Sequence, residues 1–136
     1  MEPFKIVQPS GTDVPILISI PHCSTHFPTE LEFQYKRELI SNPDDTDWYV
    51  DWIYDFVPEM GITTIKAAHS RFIVDLNRNP DDEPLYTDGR LITSVCPATT
   101  FEGDPVYKYD PPDELEIKRR VDQYFRPYHN QIKKNT

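Results

Sequence analysis

Apolar residues occur in short runs along this chain, and one run has the pattern of a strand buried on both faces. Residues 14–20 have the sequence VPILISI. A continuous run of apolar and β-branched residues at this length is typical of parallel sheets that are covered on both sides. Residues 62–67, with the sequence ITTIKA, predict a second strand. Residues 72–76 predict a third strand, and residues 91–95 indicate a further short one.

A helix is predicted after the first of these strands. The acidic run DDTD precedes WYVDWIYDFVPEMG, as expected at a helix N-terminus, where carboxylates cap free amides and oppose the helix dipole. Val50, Ile53 and Val57 fall on one face of this helix, with the large aromatic residues beside it. Gly61 is expected to end it.

Two other stretches have helical character. Residues 28–41 are amphipathic and predict a short helix and a loop, and Asp113 is expected to begin the last helix. Pro127 should kink or break that helix near Tyr124, because proline removes a backbone donor and clashes with the preceding turn. The last helix keeps one apolar stripe at spacings of three to four residues, formed by Ile117, Val121, Tyr124, Tyr128 and Ile132.

The order of these elements, β-α-β-β-loop-α, predicts an α/β fold with a mostly parallel central sheet flanked by helices. With 136 residues, the chain is long enough for one domain, residues 1–136, with a core of its own. No strand follows the final helix to complete a crossover. The pattern therefore predicts an incomplete sheet that belongs to something longer.

The net charge and the absence of several common motifs exclude some classes of partner and of enzyme. A formal net charge of −9 argues against nucleic acid and anionic membrane as partners, because both need a basic face. No apolar run is long enough to span a bilayer, and residues 1–10 lack a signal-peptide pattern. Cys23 and Cys96 fit reduced thiols in a cytosolic protein, although a disulfide between them stays open. Walker, GxGxxG, GxSxG and CxxC motifs are absent from the sequence, which removes the common nucleotide, serine-hydrolase and redox functions.

His22 is the first candidate for chemistry. It follows Pro21 at the end of the predicted strand 14–20, where open α/β sheets place their sites. Imidazole is a common zinc ligand, so His22 is a candidate metal ligand, and the alternative is a hydrogen-bonded packing residue. His26 would share a helix face with His22, but the flanking prolines disfavour a helix there. Asp47 is a candidate oxygen ligand, and helix capping is the alternative for it.

The segment SRFIVDLNRNP, residues 70–80, ends an apolar run in a cluster of charged and amide groups. Such groups are costly to bury without partners, so they either satisfy one another or bind a ligand. Arg71 and Arg78 suit a carboxylate or phosphate, which a guanidinium binds as a bidentate fork, and Asn77 adds amide donors and an acceptor. The alternative is an internal salt bridge from Asp75 to one arginine, which cannot engage both arginines bidentately.

Ordered motifs carry a resemblance to a known family. ISIPHCSTHFP, DTDWYVDWIYD and SRFIVDLNRNP follow one another, and GDPVY and RRVDQYFRPYH come later. They are similar, in order, to the strand with its Pro-His loop, the acidic helix start, the Ser-Arg…Asp-Leu-Asn-Arg segment, and the Gly…Tyr and Arg…Tyr-x-x-Pro-Tyr-His segments of the N-formylglutamate amidohydrolase family. The resemblance spans nearly the whole chain.

That resemblance implies a zinc-dependent α/β hydrolase of the carboxypeptidase/phosphorylase-hydrolase-like class. The reaction would be hydrolysis of the amide bond of an N-formyl or N-acyl acidic amino acid such as N-formylglutamate. Carried over, His22 would bind Zn²⁺ with Asp47 as a second ligand, and Arg71, Asn77 and Arg78 would bind the carboxylate of a small-molecule substrate. A cytoplasmic location and a role in histidine degradation are also implied.

The sequence departs from the family pattern in two ways. Where the wider carboxypeptidase pattern has His-x-x-Glu, Thr25 follows His22, so the second ligand is expected from Asp47. A further metal ligand and the general base are expected downstream of residue 136, and no catalytic residue is assigned within the chain. His69 and His129 are the other available nitrogens, although their spacing does not recommend them.

Two alternative functions and one consequence follow. The chain could be a catalytically incomplete remnant that binds a carboxylate or a protein partner without turnover. It could also be purely structural in this region, with Arg71, Asp75 and Arg78 paired internally. An incomplete sheet further predicts that its apolar edge is covered by self-association into a homo-oligomer.

Overall fold

A three-stranded mixed sheet lies at the centre of the protein. The computed structural model describes residues 1–81 and 93–136. In the described residues the strands are β1 (Phe4–Val7), β2 (Leu17–Ile20) and β3 (Thr63–Ala67), in the order β1-β3-β2. The strand β3 is central because it pairs with both other strands, and all of its residues except Lys66 are buried.

The pairing of the strands corrects the predicted sheet. The strand β2 runs parallel to β3, with Ser19 opposite Ile65, as the two apolar runs predicted. The strand β1 is antiparallel to β3, with Ile6 also opposite Ile65. The described sheet is therefore mixed and not mostly parallel, because the FKIV sequence of β1 supplies an antiparallel edge strand.

The prediction of a strand at residues 72–76 is wrong. This segment forms turns and irregular backbone, although its side chains are buried in the core. An apolar run of this length has no periodicity that separates a strand from a buried loop. Of the further strand predicted at 91–95, residues 91 and 92 lie outside the described residues, and 93–95 form no strand.

The described helices are short except at the C-terminal end. They are α1 (Thr29–Glu32), α2 (Arg37–Ser41), α3 (Val50–Ile53), a 3₁₀ helix (Val57–Met60), α4 (Glu114–Arg120), a π-helical turn (Val121–Phe125) and α5 (Arg126–Lys134). None of the helices in the described residues is long and apolar enough to cross a membrane.

The C-terminal helices confirm the predictions made for them. The Asp113 side chain accepts a hydrogen bond from the Glu116 amide at 2.9 Å and caps α4. A π-helical turn lies where Pro127 was predicted to kink or break the helix, and the chain stays helical into α5, which contains Pro127. Within the apolar stripe, Val121, Tyr124 and Tyr128 are buried against the core.

The region after the acidic run differs from its prediction. The helix breaks into α3 and the 3₁₀ helix, and of the three predicted core positions only Val57 is buried, whereas Ile53 is 61% exposed. Tyr49 occupies the N-cap with a left-handed backbone, and no side chain caps α3. Helix capping therefore does not explain Asp47.

Gly61 ends the 3₁₀ helix with φ of 83°, as the sequence predicted for a C-terminal glycine. A Cβ atom there would lie 2.0 Å from the Thr12 carbonyl oxygen, which is backbone and cannot rotate away. Gly103 has a similar φ of 93°, but its Cβ would meet open space. A substitution at Gly103 would therefore cause backbone strain alone, whereas one at Gly61 would cause both backbone strain and steric overlap.

We expect Gly61→Ala to destabilise the protein by at least about 2 kcal/mol more than Gly103→Ala. Both variants place alanine in a left-handed conformation, which costs on the order of 1–2 kcal/mol, and only Gly61→Ala adds the overlap. Urea unfolding followed by circular dichroism measures the difference. Equal losses for the two variants would show that the approach of Thr12 is not a constraint.

Candidate active site

The buried carboxylate of Asp75 organises the candidate site. Its Oδ1 accepts hydrogen bonds from His22 Nε2 at 2.7 Å and from the Asn77 amide at 2.9 Å, and its Oδ2 accepts one from Arg71 Nη2 at 2.8 Å. The residue is 0% exposed. Burial alone would raise its pKa, but the hydrogen bond from His22 and the charges of His22 and Arg71 outweigh burial and lower the pKa to about 2. Asp75 is therefore an anion that fixes its neighbours.

The hydrogen bond to Asp75 fixes the orientation of the His22 ring. With Nε2–H donating to the carboxylate, a neutral ring carries its lone pair on Nδ1. That Nδ1 lies 3.6 Å from Asp47 Oδ2, whose side chain is half exposed. A carboxylate that holds the far nitrogen of a histidine is the usual outer partner of a metal-binding imidazole.

The His22–Asp47 pair fits a shared metal ion. Two ligand atoms about 2.1 Å from one zinc ion, at a tetrahedral angle, lie roughly 3.4 Å apart, close to the 3.6 Å between His22 Nδ1 and Asp47 Oδ2. Within residues 1–81 and 93–136, however, no group of three or more histidine, cysteine or acidic side chains could hold a metal. At this site the described residues thus offer two ligands.

The backbone places Asp47 beside His22. The Asp47 amide donates a hydrogen bond to the His22 carbonyl at 2.9 Å. Asp45 and Tyr49, two positions away on either side, have positive φ values of 57° and 63°. Such conformations are costly for residues other than glycine and cluster at functional sites.

Arg71 is enclosed by protein groups. Besides the ion pair with Asp75, its Nη1 donates to the Asp45 carbonyl at 3.0 Å, and its guanidinium lies 4.8 Å from the centroid of the Phe101 ring. The internal salt bridge that the sequence left open for Asp75 is thus formed with Arg71. The predicted contact of Arg71 with substrate stays a prediction.

Asn77 and Arg78 lie at the outer rim of the same segment. The Asn77 side chain is exposed, and Arg78 is partly buried. Arg78 donates from Nε to the Thr93 carbonyl at 3.2 Å and from Nη1 to the Asn77 carbonyl at 3.0 Å. In the described part of the chain no carboxylate pairs with Arg78, so its charge is oriented there by carbonyl groups alone. The predicted carboxylate binding by Asn77 and Arg78 stays a prediction.

In the described residues Cys23, His69 and His129 have other hydrogen-bond partners than His22 or Asp47. Burial raises the pKa of the Cys23 thiol to about 11, and its sulfur faces the Ile20 and Ala67 carbonyls. His129 Nε2 lies 2.9 Å from the Leu76 carbonyl, and its ring stacks on Phe125. His69 pairs with His26. The sequence had presented Asp75 only as an ion-pair partner of an arginine, and its contact with His22, 53 residues away, had no signal in any spacing.

Comparisons with known proteins identify the family of the chain. The family model described as N-formylglutamate amidohydrolase matches residues 14–136. The chain is 39% identical over 122 residues to N-formylglutamate deformylase of Pseudomonas putida, covering 89% of this chain and 45% of that protein. The corresponding figures for the Pseudomonas aeruginosa protein of the same name are 38% over 120 residues, 88% and 44%. This chain therefore spans less than half the length of these relatives.

Solved structures show the same fold. The chain is similar to the crystal structure of N-formylglutamate amidohydrolase from Ralstonia eutropha, with a TM-score of 0.77 and 25% identity over 99% of this chain and 51% of the other. A protein from Agrobacterium tumefaciens gives a TM-score of 0.75 at 19% identity, over 99% of this chain and 50% of the other. The fold of these 136 residues matches about half of a larger structure.

Proposed function

The chain belongs to the N-formylglutamate amidohydrolase family, and we propose that it hydrolyses the amide bond of N-formylglutamate or a related N-acyl acidic amino acid with the help of a bound metal ion. The observation that carries this proposal is the chain of contacts from Arg71 through Asp75 to His22 and on to Asp47. Its members come from three separate stretches of the chain. The relatives named N-formylglutamate deformylase give the substrate class.

In this proposal the metal ion is Zn²⁺, held by His22 Nδ1 and Asp47. When bound, zinc supplies a Lewis acid and an acidic water molecule for amide hydrolysis. Asp75 keeps the His22 lone pair directed at the metal position, and Arg71 keeps Asp75 ionised. The remaining ligand and the general base lie outside the constellation that the described residues form.

The substrate is proposed to bind through its carboxylates. Arg78 offers guanidinium donors at the rim of the site, and the exposed side-chain amide of Asn77 is its neighbour along the chain. A guanidinium fork holds a carboxylate in one orientation. Fixing that end of the molecule orients the amide toward the metal position and lowers the entropy cost of reaching the transition state.

The experiment compares formate release from N-formyl-L-glutamate by the wild-type chain, Arg78→Ala and Arg126→Ala, with and without Zn²⁺. Arg126 is the matched control, since it is an exposed arginine that pairs with Asp122. We expect zinc-dependent turnover, a fall in kcat/KM of at least roughly 30-fold for Arg78→Ala, and little change for Arg126→Ala. The absence of metal-dependent turnover would contradict the proposal.

One alternative keeps a specific observation in its favour. The described residues offer only two ligands at the proposed zinc position. A chain with an incomplete metal site could bind a carboxylate without turnover. Calorimetry would then show dicarboxylate binding that does not depend on metal and that Arg78→Ala abolishes. If neither turnover nor binding is seen with the wild-type chain, both functions are wrong. A cytoplasmic location and a role in histidine degradation stay predictions.

Self-association, the other prediction from the sequence, has a candidate surface. Seven large apolar side chains between positions 48 and 60 are 40–70% exposed: Trp48, Tyr49, Trp52, Ile53, Tyr54, Phe56 and Met60. Contiguous apolar exposure of this extent is unusual on a monomer. In the described residues β2 pairs on one side only, with β3, so a strand edge is also open.

We expect the chain to sediment as a dimer or larger species and Trp52→Asp to shift it toward the monomer. The substitution places a charge on a side chain that is 70% exposed, so the fold should be kept. Leu115→Asp is the matched control, because Leu115 is 78% exposed on α4, far along the chain from this surface. Sedimentation equilibrium measures both variants. A wild-type monomer at high concentration would show that this surface does not drive self-association.

A further inference from the structure

We propose that His26 and His69 form a second metal site, which takes a late divalent transition-metal ion and is separate from the His22–Asp47 pair. The Nδ1 atoms of the two rings are 2.9 Å apart, the ring centroids are 5.1 Å apart, and the ring planes differ by 34°. Neither histidine contacts a group of the proposed active site through its side chain in the described structure. Imidazole nitrogens suit zinc, copper and nickel.

The distance between the two nitrogens matches a chelate. Two imidazole nitrogens about 2.0–2.1 Å from one metal, at angles between square and tetrahedral, lie roughly 2.9–3.4 Å apart. Without metal, one Nδ1–H donates to the other Nδ1. To admit the metal, that proton moves to Nε2 of the same ring, so both Nδ1 lone pairs become available and the neutral pair releases no net proton.

Two hydrogen bonds join the two histidine-bearing loops, and a third orders the first loop internally. The Ser70 amide donates to the His26 carbonyl at 2.8 Å, and the Ser24 hydroxyl donates to the Ala68 carbonyl at 2.9 Å. The Ser24 hydroxyl oxygen in turn accepts from the His26 amide at 3.2 Å. The loop after β2 and the loop after β3 are therefore joined directly beside both rings, so the two ligands are positioned before a metal binds.

The two rings also differ in a useful way. His69 is 8% exposed and packs edge-on against the Tyr124 ring, with centroids 5.0 Å apart, whereas His26 is exposed. The buried ring of His69 provides the fixed ligand, and the exposed ring of His26 can turn by the amount that a metal requires.

The carboxylate of Glu30 lies near the His26–His69 pair, on the side of Tyr124. Tyr124 Oη donates a hydrogen bond to Glu30 Oε1 at 3.3 Å, and Glu30 acts electrostatically on His69. The negative charge of Glu30 favours a cation at the His26–His69 pair, whereas the positive charge of the N-terminus disfavours it. Because a tag would change the N-terminus, metal binding should be measured on protein without an affinity tag.

The experiment titrates Zn²⁺ into the wild-type chain and three variants by calorimetry, with ¹⁵N imidazole NMR to identify the ligating nitrogens. We expect the Nδ1 resonances of His26 and His69 to shift together in the wild type. His26→Gln, on an exposed side chain, should weaken this binding by at least roughly 100-fold, since even the loss of an outer partner costs 10–100-fold. Asp47→Asn should keep it.

His129→Gln is the control for non-specific binding to histidine and should behave as the wild type. Circular dichroism checks that each variant is folded. A zinc-dependent shift of the His69 Nδ1 resonance that survives His26→Gln, or shifts of His26 and His69 that are lost in Asp47→Asn, would overturn the proposal. The absence of any zinc-dependent shift at His26 and His69 would equally show that the two rings form only a hydrogen bond.

Discussion

Replacing Asp75 with alanine is expected to lower the free energy of unfolding by about 3–5 kcal/mol. The carboxylate is 0% exposed and accepts hydrogen bonds from His22, Arg71 and the Asn77 amide. Its removal leaves the buried Arg71 guanidinium without a counter-ion and two further donors without an acceptor. Because small domains have a total stability of only about 5–15 kcal/mol, this one substitution should consume a large part of it.

Asp122 provides a control of matched charge. It also pairs with two basic side chains, Lys118 and Arg126, but its side chain is 46% exposed. Ion pairs in water contribute about 0–1 kcal/mol, so Asp122→Ala should change stability little. Urea unfolding of both variants measures the contrast. Similar losses for the two aspartates would mean that burial does not set the strength of the Asp75 contacts.

The double variant Asp75→Ala/Arg71→Met tests the physical reason. If an uncompensated buried charge causes the loss, removing Arg71 as well should recover roughly 1–2 kcal/mol of it. If the loss of stability in the double variant equals the sum of the losses in the two single variants, the His22 and Asn77 hydrogen bonds cause the loss instead.

Asp75→Asn tests separately whether Asp75 orients His22. This substitution should weaken metal binding at His22 about 10–100-fold.

Several parts of the fold that the sequence predicted correctly are governed by single residues. Gly61 ends the 3₁₀ helix because it alone tolerates the left-handed backbone there, Asp113 caps α4, and Pro127 follows the π-helical turn. Each of these effects acts within one turn of chain, so the sequence contains the whole cause. The antiparallel β1 depends on pairing with β3, about 60 residues away.

In the candidate site, too, the sequence predicted a contact between residues close along the chain and missed contacts between distant ones. The Arg71–Asp75 ion pair joins residues four apart and was one of the two alternatives that the sequence offered. The contacts of His22 with Asp75 and Asp47 join separate loops, and tertiary packing decides them. The family resemblance pointed to His22 and Asp47, but it did not show that a buried aspartate orients the histidine.

Arg120 is the second group on which a large effect is expected, and it supports the segment 70–80 from the opposite side. Its side chain is 0% exposed, and its Nη1 donates to Tyr35 Oη at 2.7 Å, to Tyr107 Oη at 2.8 Å and to the Ile73 carbonyl at 3.3 Å. Its Nε donates to Glu116 Oε1 at 2.9 Å. One guanidinium thereby ties α4 to the backbone of the loop that carries Asp75.

We expect Arg120→Met to lower the free energy of unfolding by about 3–5 kcal/mol, because it leaves Glu116 without its buried partner and removes the guanidinium donor from the Ile73 carbonyl and from both tyrosine hydroxyls. Arg119→Met is the matched control. It is the adjacent residue, it also pairs with Glu116, and its side chain is 44% exposed, so the loss should stay under about 1 kcal/mol. Urea unfolding separates the two, and the pattern of amide hydrogen exchange locates the effect. If Arg120→Met loosens only α4 and leaves residues 70–76 protected, the guanidinium stabilises the helix and not the loop of the candidate site.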